Sequence, residues 1–599
     1  MERYQVTGNE YLSFPTVRES DGAAEGLTFL YMTAKGMIEL RGGDAPFLRP
    51  VIEAGGLTVP LTELRWERLN DWIPAFTAKA GLLEVRGALL CPVGRRGFIY
   101  RLSVHNPAET RAEGTAALYG SWQKTLHEVN EAKPVAASLH LIQSNWNHSF
   151  VIEARSAFPL FAFAPILEDG MVVRAEQRAD GGVDFRLEQS FALEAGQLRT
   201  ATFLFGIGFE EVAAATAAKE LLREGYDALY RETLGWLQSR ARNIGDPYLQ
   251  TMCNTNMFFS FFFASGRTLD TEELVLMTSR SPRYYVSCAY WDRDSLLWSF
   301  PAILMADRVY AREIMLHVFT RQMKNVGVHS RFIDGTVLEP GFELDELCAP
   351  MIALETYLRQ TGDEAFFHAP EIQTGILKIL AMLETKKHPI IDLYKTSLMP
   401  TDDVAVYPYL TYDNVLVWKV LRDQGNRTQS EELLERAKRV KQAIMEHCVK
   451  ETNGTRYFCW STDLNGTFDV YDEPPGSLLL LPYLGFCGAD DPVYLATAAK
   501  IHDPSYPYSF AGKPIAEIGC EHAPHPWVLS VANSLLSGSR DTAIRHLQKM
   551  RMDNGIACES VYEDTGECAT GEAFATCAGF LAYAIDYAMS GRFSTQDCP

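Results

Sequence analysis

Asp292, Arg293 and Asp294 sit inside "SCAYWDRDSLLWSF", between aromatic and aliphatic neighbours that call for burial. Burying charge is costly unless each group is paired or bonded to something that needs it. Either the triplet is a structural ion cluster or it grips a ligand. Three further loop-like stretches also gather carboxylates beside apolar groups. In "EPGFELDELCAP", Glu343, Asp345 and Glu346 precede a long apolar stripe. Capping of the following helix is the plain alternative there, above all for Glu346. In "SLMPTDDVAVYPYLTYDN", Asp402 and Asp403 are adjacent and lead into Tyr407, Tyr409 and Tyr412. An acidic pair so enclosed is either an N-cap or a carboxyl group with a raised pKa. In "GIACESVYEDTGECATGEAF", Glu559 follows an apolar run, whereas Glu563, Asp564 and Glu567 read as solvated.

Cleavage of a glycosidic bond needs two carboxyl groups flanking that bond. One donates a proton to the leaving oxygen, and the other activates water or attacks directly. Asp402 or Asp403 together with Glu559 would supply that pair. A third chemistry is offered by "AEIGCEHAPHPW", where Cys520, His522 and His525 give C-x-H-x-x-H. That spacing matches no common structural zinc site and no fourth ligand is evident, so no metal is expected. Phosphate loops, nucleophile elbows and nicotinamide fingerprints are not found in a suitable context, and no cofactor is expected.

Those loops must be held by larger elements. Up to about residue 205 the dominant signal is alternation, as in "GFIYRLSVHN", "VDFRLEQ" and "LRTATFLFGIG", with Gly, Pro and Asn clusters between the runs. That pattern predicts antiparallel strands assembled into a β-sandwich. From "FEEVAAATAAKELLREGYDALYRETLGWLQSRA" onward the period is helical. Leu347, Met351, Leu354 and Leu358 form one apolar stripe, and Phe574, Cys577, Leu581 and Ile585 another. About a dozen helices joined as hairpins fit an (α/α)6 toroid, or barrel. The expected division is a β-sandwich domain over 1–208, a helical linker over 209–240 and an (α/α)6 barrel catalytic domain over 241–599.

At 599 residues, a multidomain α and β protein is the expectation. A net charge of −21 argues against nucleic acid and anionic membranes as partners and suits a neutral, hydroxyl-rich substrate. No apolar span near 20 residues occurs, so no membrane helix is expected. The start lacks the pattern of a signal peptide. Twelve scattered cysteines without a CxxC pair are read as reduced, buried thiols in a cytoplasmic protein. A homo-oligomer is compatible with the sequence.

The motifs also carry a resemblance. "YWDRDS" resembles the Trp-x-Arg-Asp-Ser element of glucoamylases and their inverting relatives, whose Arg-Asp pair grips hydroxyls of the terminal sugar. The other loops are similar to those of glycoside hydrolase family 125, metal-independent exo-α-1,6-mannosidases of the same clan. "FELDELCAP" resembles its Tyr-Glu-Ile-Asp-Ser-Leu-Cys-Tyr-Pro stretch. "MPTDDVAVYPYLTYDN" resembles its acid-bearing Arg-Pro-Ser-Asp-Asp-Ala-Cys segment. "AEIGCEHAP" is similar to its Gly-Ile-Gly-Ser-Pro-His-Thr-Pro loop, and "CESVYEDTGE" falls where the family has His-Glu-Ser-Phe, whose Glu is the general base. Two departures stand out: an arginine before the acidic pair is replaced by Met399, and the histidine before the base is Cys558.

The resemblance implies an exo-acting, inverting α-glycoside hydrolase acting on an oligosaccharide with a terminal α-mannoside or α-glucoside. Asp402 or Asp403 would be the acid and Glu559 the base. Tyr290, Trp291, Arg293, Asp294, Glu343, Asp345, His522 and Trp527 would bind the sugar, with Asp292 as a rim or structural charge. The alternatives are a phosphorylase on the same scaffold and a non-catalytic sugar-binding protein.

Overall fold

The structure is a computed structural model and describes residues 2–157, 161–168 and 170–590. The chain forms two compact units. One comprises Met1–Ala241 with Ser265–Val275 and Arg280–Cys288; the other comprises Arg242–Ala264, Leu276–Ser279 and Ala289–Pro599.

In the first unit the alternating segments become antiparallel strands of six-, eight- and five-stranded sheets. Gly97–His105 pairs with Leu198–Gly208 in unbroken register from Gly97 opposite Gly206 to His105 opposite Leu198. Every second residue of Val183–Leu193, beginning at Val183, is buried, as the period-2 pattern requires. The inward side chains build an aromatic core. Phe98 stacks on Phe205 at 4.8 Å, Phe205 on Phe163 at 5.0 Å, and Phe14 meets Phe98 edge-on at 4.8 Å. Two helices, Glu211–Glu224 and Tyr226–Arg240, complete this unit. The first buries Ala214, Ala215, Ala218 and Leu221, and its small residues allow close approach to Gly206 of the neighbouring strand.

The second unit is mainly helical. Pro247–Phe263, the "NMFFSFFF" helix, starts under an Asp246 cap and is buried along most of its length. Leu344–Thr361 carries the Leu347, Met351, Leu354 and Leu358 stripe inward and ends at Gly362 in the left-handed conformation. Ala575–Met589, which carries Cys577, Leu581 and Ile585, is buried almost throughout and packs on Pro247–Phe263. Among the described residues, no helix is long and apolar enough to cross a membrane. Eleven described cysteines are free thiols, nine of them buried.

The helical period is not the whole of this unit, which also contains short strands. Val328–Arg331 pairs with Val337–Phe342, and Ser560–Val561 pairs with Cys568–Thr570. Such strands of two to six residues are too short to leave a readable alternation. The second departure is at "RDSLLWS", where Arg293–Ser299 winds as a π-helix before an α-helix continues from Phe300 to Ala306. Single π turns inside helices are frequent at functional sites.

Candidate active site

The π-helix opens with the charged triplet, and each member finds a different partner. Asp292 is fully enclosed. Its carboxylate accepts from Tyr290 Oη at 2.5 Å and pairs with Arg331, which lies over the Tyr290 ring. Of the two roles expected for Asp292, its placement is that of a structural charge. Tyr290 is likewise fully enclosed and joins the cluster through Asp292. Asp294 accepts from Thr576 Oγ1 at 3.0 Å and lies 3.8 Å from Arg293 Nε.

Arg293 organises the rest. Its Nη1 donates to Glu343 Oε2 at 2.6 Å and to Asp345 Oδ2 at 3.0 Å, and its Nη2 donates to Asp402 Oδ1 at 2.6 Å. Its guanidinium also lies 5.8 Å from the Trp298 ring centroid. These carboxylates come from two places: the start of helix Leu344–Thr361 and the loop after Met399. Glu343 stands at the N-cap of that helix but makes no capping bond with its side chain. Glu346 does act as a cap, though of a different element. Its two oxygens accept from the backbone N–H groups of Asp292 and Arg293, which begin the π-helix.

His329, on the hairpin Val328–Phe342, bonds Glu343 Oε1 through Nδ1 at 2.5 Å and comes within 3.7 Å of Asp402. The Trp291 ring meets His329 edge-on at 5.6 Å. Two buried donors in this group, Arg293 Nε and Trp291 Nε1, make no hydrogen bond to any described residue.

The cluster holds more acid than base. Asp292, Asp294, Glu343, Asp345, Glu346 and Asp402 face Arg293, Arg331 and His329. Protons make up part of the difference. Burial raises Asp294 to about 7 against the pull of Arg293, with Asp402 adding to the rise. Burial also lifts Glu343 to about 7, opposed by Arg293 and His329 and assisted by Asp402 and Asp345. Glu346 lies well above the carboxylate range because of its burial and the nearby Asp292, Glu343 and Asp345. Burial alone would lower Arg293 and His329. The summed charges of Asp345, Glu343, Asp402 and Glu346 outweigh it at Arg293, and at His329 the hydrogen bond to Glu343 together with the charges of Asp402 and Glu343 outweighs it, so both are raised.

The acidic loop is a tight turn in which Asp402 N donates to Met399 O at 2.9 Å and Met399 N to Asp403 O at 2.7 Å. Asp402 adopts a left-handed φ of 70°. Asp tolerates that region better than most residues, and such conformations persist where the surroundings over-determine them. Glu473 does so here. It is fully buried and accepts from Thr401 N and Thr401 Oγ1, each at 3.0 Å. Its own pKa is driven well above the usual range by burial, with Thr401 and Arg293 opposing. The Asp403 side chain is half exposed, and His522 Nδ1 lies 3.4 Å from its Oδ2.

On the far side of that imidazole, His522 Nε2 lies 4.0 Å from Glu559 Oε1. Glu559 is held from several directions. Its N–H donates to Gly571 O at 3.1 Å, its carbonyl accepts from Val528 N at 3.0 Å, and Thr570 Oγ1 donates to its Oε2 at 2.6 Å. Trp527 lies buried beside His522 at 6.2 Å between ring centroids, with its indole N–H on Ala523 O at 2.9 Å.

Two constellations therefore form within the second unit: Arg293 with Asp294, Glu343, Asp345 and Asp402, and Asp403 with His522 and Glu559. Cys520, His522 and His525 do not converge. His525 instead pairs with Glu563 at 3.3 Å, and Cys520 is buried. Among the described residues, His329, Glu343 and Asp402 do bring ligand-type atoms within 4.8 Å of one another. The Arg293 guanidinium already binds both carboxylates there.

Sequence reasoning missed His329, Arg331, Glu473, Thr570 and Thr576. His329 and Arg331 lie in a hairpin too short to detect, and the two threonines carry no signal of their own. Glu473, beside Asp472 in "YDEPPG", repeats the adjacent-acid pattern of Asp402 and Asp403 and was within reach.

Comparisons with known proteins bear on this arrangement. The family model of the metal-independent α-mannosidases of glycoside hydrolase family 125 matches residues 388–585. That span contains Asp402, Asp403, His522 and Glu559 but not the Arg293 or Glu343 segments. The chain is 24% identical over 261 residues to the meiotically up-regulated gene 157 protein of Schizosaccharomyces pombe, covering 35% of this chain and 51% of that protein. It thus spans about half the length of that curated relative.

Among solved structures, a Streptococcus pneumoniae metal-independent α-mannosidase in a non-productive complex with α-1,6-mannobiose aligns with TM-score 0.51 and 20% identity, over 62% of this chain and 98% of that one. A bacterial glucoamylase bound to acarbose aligns with TM-score 0.67 and 13% identity, over 98% and 94%. A protein assigned as a kojibiose phosphorylase, from the human microbiome, aligns with TM-score 0.62 and 11% identity, over 97% and 86%. The fold, antiparallel sheets followed by a helical part, is one that the glucoamylase and the kojibiose phosphorylase share over nearly the whole chain. The resemblance implied by the loops is to the same group of glycoside-acting (α/α)6-barrel proteins.

Proposed function

We propose that a chain so related is an exo-acting, inverting α-glycoside hydrolase that frees a terminal α-mannoside or α-glucoside from an oligosaccharide. In the finer reading of its architecture, a β-sandwich domain (1–208) and a helical linker (209–240) precede an (α/α)6 barrel catalytic domain (241–599). A cytoplasmic location is part of the same reading.

The observation that carries the proposal is the meeting of Asp403 and Glu559, from two distant loops, at the two nitrogens of His522. Glu559 is the base that takes a proton from the attacking water, with Thr570 fixing its orientation. Asp402 is committed to Arg293, whose guanidinium can only donate, so Asp403 is the member of the pair that protonates the leaving oxygen. Arg293, Asp294, Glu343 and Asp345 hold the hydroxyls of the terminal sugar, and Arg293 Nε and Trp291 Nε1 offer it donors not used by described residues. An inverting enzyme needs about 6.5–9.5 Å between its carboxyl groups to admit the water. A single imidazole lying between Asp403 and Glu559 is compatible with that span.

The phosphorylase reading requires an oxyanion in place of that water. The surplus of carboxylates and the presence of Glu559 work against it.

Incubating the chain with α-linked gluco- and manno-disaccharides, and following the released anomer by NMR, tests the proposal. Release of the inverted free sugar without phosphate is expected, whereas product formed only with phosphate would overturn hydrolysis. Glu559→Gln should lower turnover by about 10²–10⁴-fold while sugar binding persists, because the amide cannot accept the proton. Asp403→Asn should slow natural disaccharides far more than substrates with an activated leaving group, which need no proton. If Asp402→Asn shows that selectivity instead, the two aspartates exchange roles.

A further inference from the structure

We propose that the first unit carries a second ligand site, on the outer face of its five-stranded sheet, for a sugar bearing an oxyanion such as phosphate, sulfate or carboxylate. The observation is a row of side chains across four neighbouring strands. Arg174 on Met171–Gln177 stands directly opposite Arg186 on Val183–Leu193. Arg186 stands opposite Tyr119 on Ala112–Trp122, and Tyr119 opposite Arg49 on Leu48–Ala54. Directly opposed residues share a face of the sheet, so three arginines and one tyrosine project side by side over about 14 Å.

Like charges opposite one another on adjacent strands are destabilising, so Arg174 against Arg186 is a placement that packing does not explain. The row lines a cavity of about 770 Å³, to which Arg18 and Arg178 also contribute. That volume lies within the range of about 300–1,000 Å³ typical of small-molecule sites.

Carboxylates fix three of the five arginines. Arg186 donates to Glu53 at 2.7 Å and pairs with Glu188. Arg178 holds Asp180 at 3.1 Å and Asp184 at 3.0 Å, and Arg18 holds Asp21 at 2.6 Å and Glu25 at 2.9 Å. Arg49 and Arg174 have no carboxylate partner among the described residues. Arg49 lies 5.8 Å from the Tyr119 ring centroid, with Arg186 at 4.6 Å from the same ring. Two guanidinium groups without an anion, flanking a third that is held in place, offer planar donor forks that can each bond two oxygens of a phosphate, sulfate or carboxylate group.

Two residues along the same strands, Glu176 lies opposite Asp184, and Asp44 also lines the cavity. Glu176 and Asp44 make no ion pair among the described residues and are positioned to accept sugar hydroxyls. A bare anion would leave those acceptors unused and a neutral sugar would leave the arginines unused, which is why the ligand is an anionic sugar. The site does not depend on the proposed hydrolase activity.

The test is calorimetric titration of the full chain with hexose 6-phosphate, hexose 6-sulfate, a hexuronic acid, unmodified hexose and inorganic phosphate. At least one charged sugar should bind ten or more times more tightly than both unmodified hexose and inorganic phosphate, and the one that does identifies the oxyanion. Raising the salt should weaken that binding. Arg49→Ala with Arg174→Ala should lower the affinity at least tenfold without changing the thermal midpoint or disaccharide turnover. An undiminished affinity in the double variant, equal binding of the unmodified hexose or inorganic phosphate, or no binding of any charged sugar at 10 mM on the scale of weak sites would overturn the proposal.

Discussion

Arg293 and Asp292 are neighbours with opposite obligations. Removing the Arg293 side chain strands Glu343, Asp345 and Asp402 without their common donor. Arg293→Ala should therefore cost about 3–5 kcal/mol in chemical denaturation, as breaking buried pairs does. It should also abolish measurable sugar binding. Arg293→Lys keeps the charge but loses the fork that serves separate carboxylates, so it should restore stability better than binding. Asp292→Ala takes from the buried Arg331 its nearest carboxylate and should destabilise to a similar degree, yet leave KM near its original value in whatever fraction stays folded. Equal KM effects for the two substitutions would contradict the division of labour. The sequence announced the anomaly at Asp292–Asp294 because three charges in an apolar run need partners, whether in an ion cluster or on a ligand. It was silent on who answers them, since Arg331, Glu346 and Thr576 arrive from distant segments whose local patterns are ordinary.

Among elements, the long ones were legible and the short ones were not. Helix Leu344–Thr361 shows four buried stripe positions at helical spacing, and strand Val183–Leu193 shows eleven residues of alternation. The hairpins that bring His329 and Thr570 to the site have strands of two to six residues, below the length at which periodicity can be read. The acidic turn depends on an element of another kind, the buried Glu473 under Thr401. Glu473→Ala removes both acceptors and should cost about 1–3 kcal/mol. It should also lower kcat by releasing the Asp402–Asp403 turn, while Glu473→Gln, which keeps one acceptor and the volume, should recover most of both. A combined denaturation and kinetic series checks this. Loss of stability with unchanged kcat would show that Glu473 supports the fold but not the turn.

For the molecule as a whole, the buried acids set a pH dependence. Asp294 and Glu343 titrate at about 7 in the folded chain, above the ordinary carboxylate range of roughly 4 in the unfolded one. Between those values the folded state holds protons that the unfolded state has lost. Their contribution to stability is therefore complete below about pH 4 and lost as pH rises through about 7. Thermal midpoints at pH 5 and 8 should show a smaller fall for Asp294→Asn than for the unsubstituted chain, since the amide has no proton to lose. A steeper fall would reverse the assignment. Composition pointed toward a neutral hydroxylated substrate, and a site with six carboxylates against three cations fits that reading. What the net charge of −21 concealed is the arginine row on the first unit, because a total says nothing of where its minority sign is gathered.

The π-helical turn of Arg293–Ser299 also bears on how this chain can change over generations. A π turn accommodates about one residue more than an α turn over the same stretch of axis. Loss of a single codon between Ser295 and Trp298 would let the segment close as an ordinary α-helix, with its hydrogen bonds intact. The residues before the gap would turn by about 100° relative to those after it. Arg293 would leave its carboxylates while Phe300–Ala306 kept its place. A lineage could lose the sugar grip proposed for Arg293 in one step and retain a folded scaffold, so descendants with this segment one residue shorter are where forms without that grip should be sought.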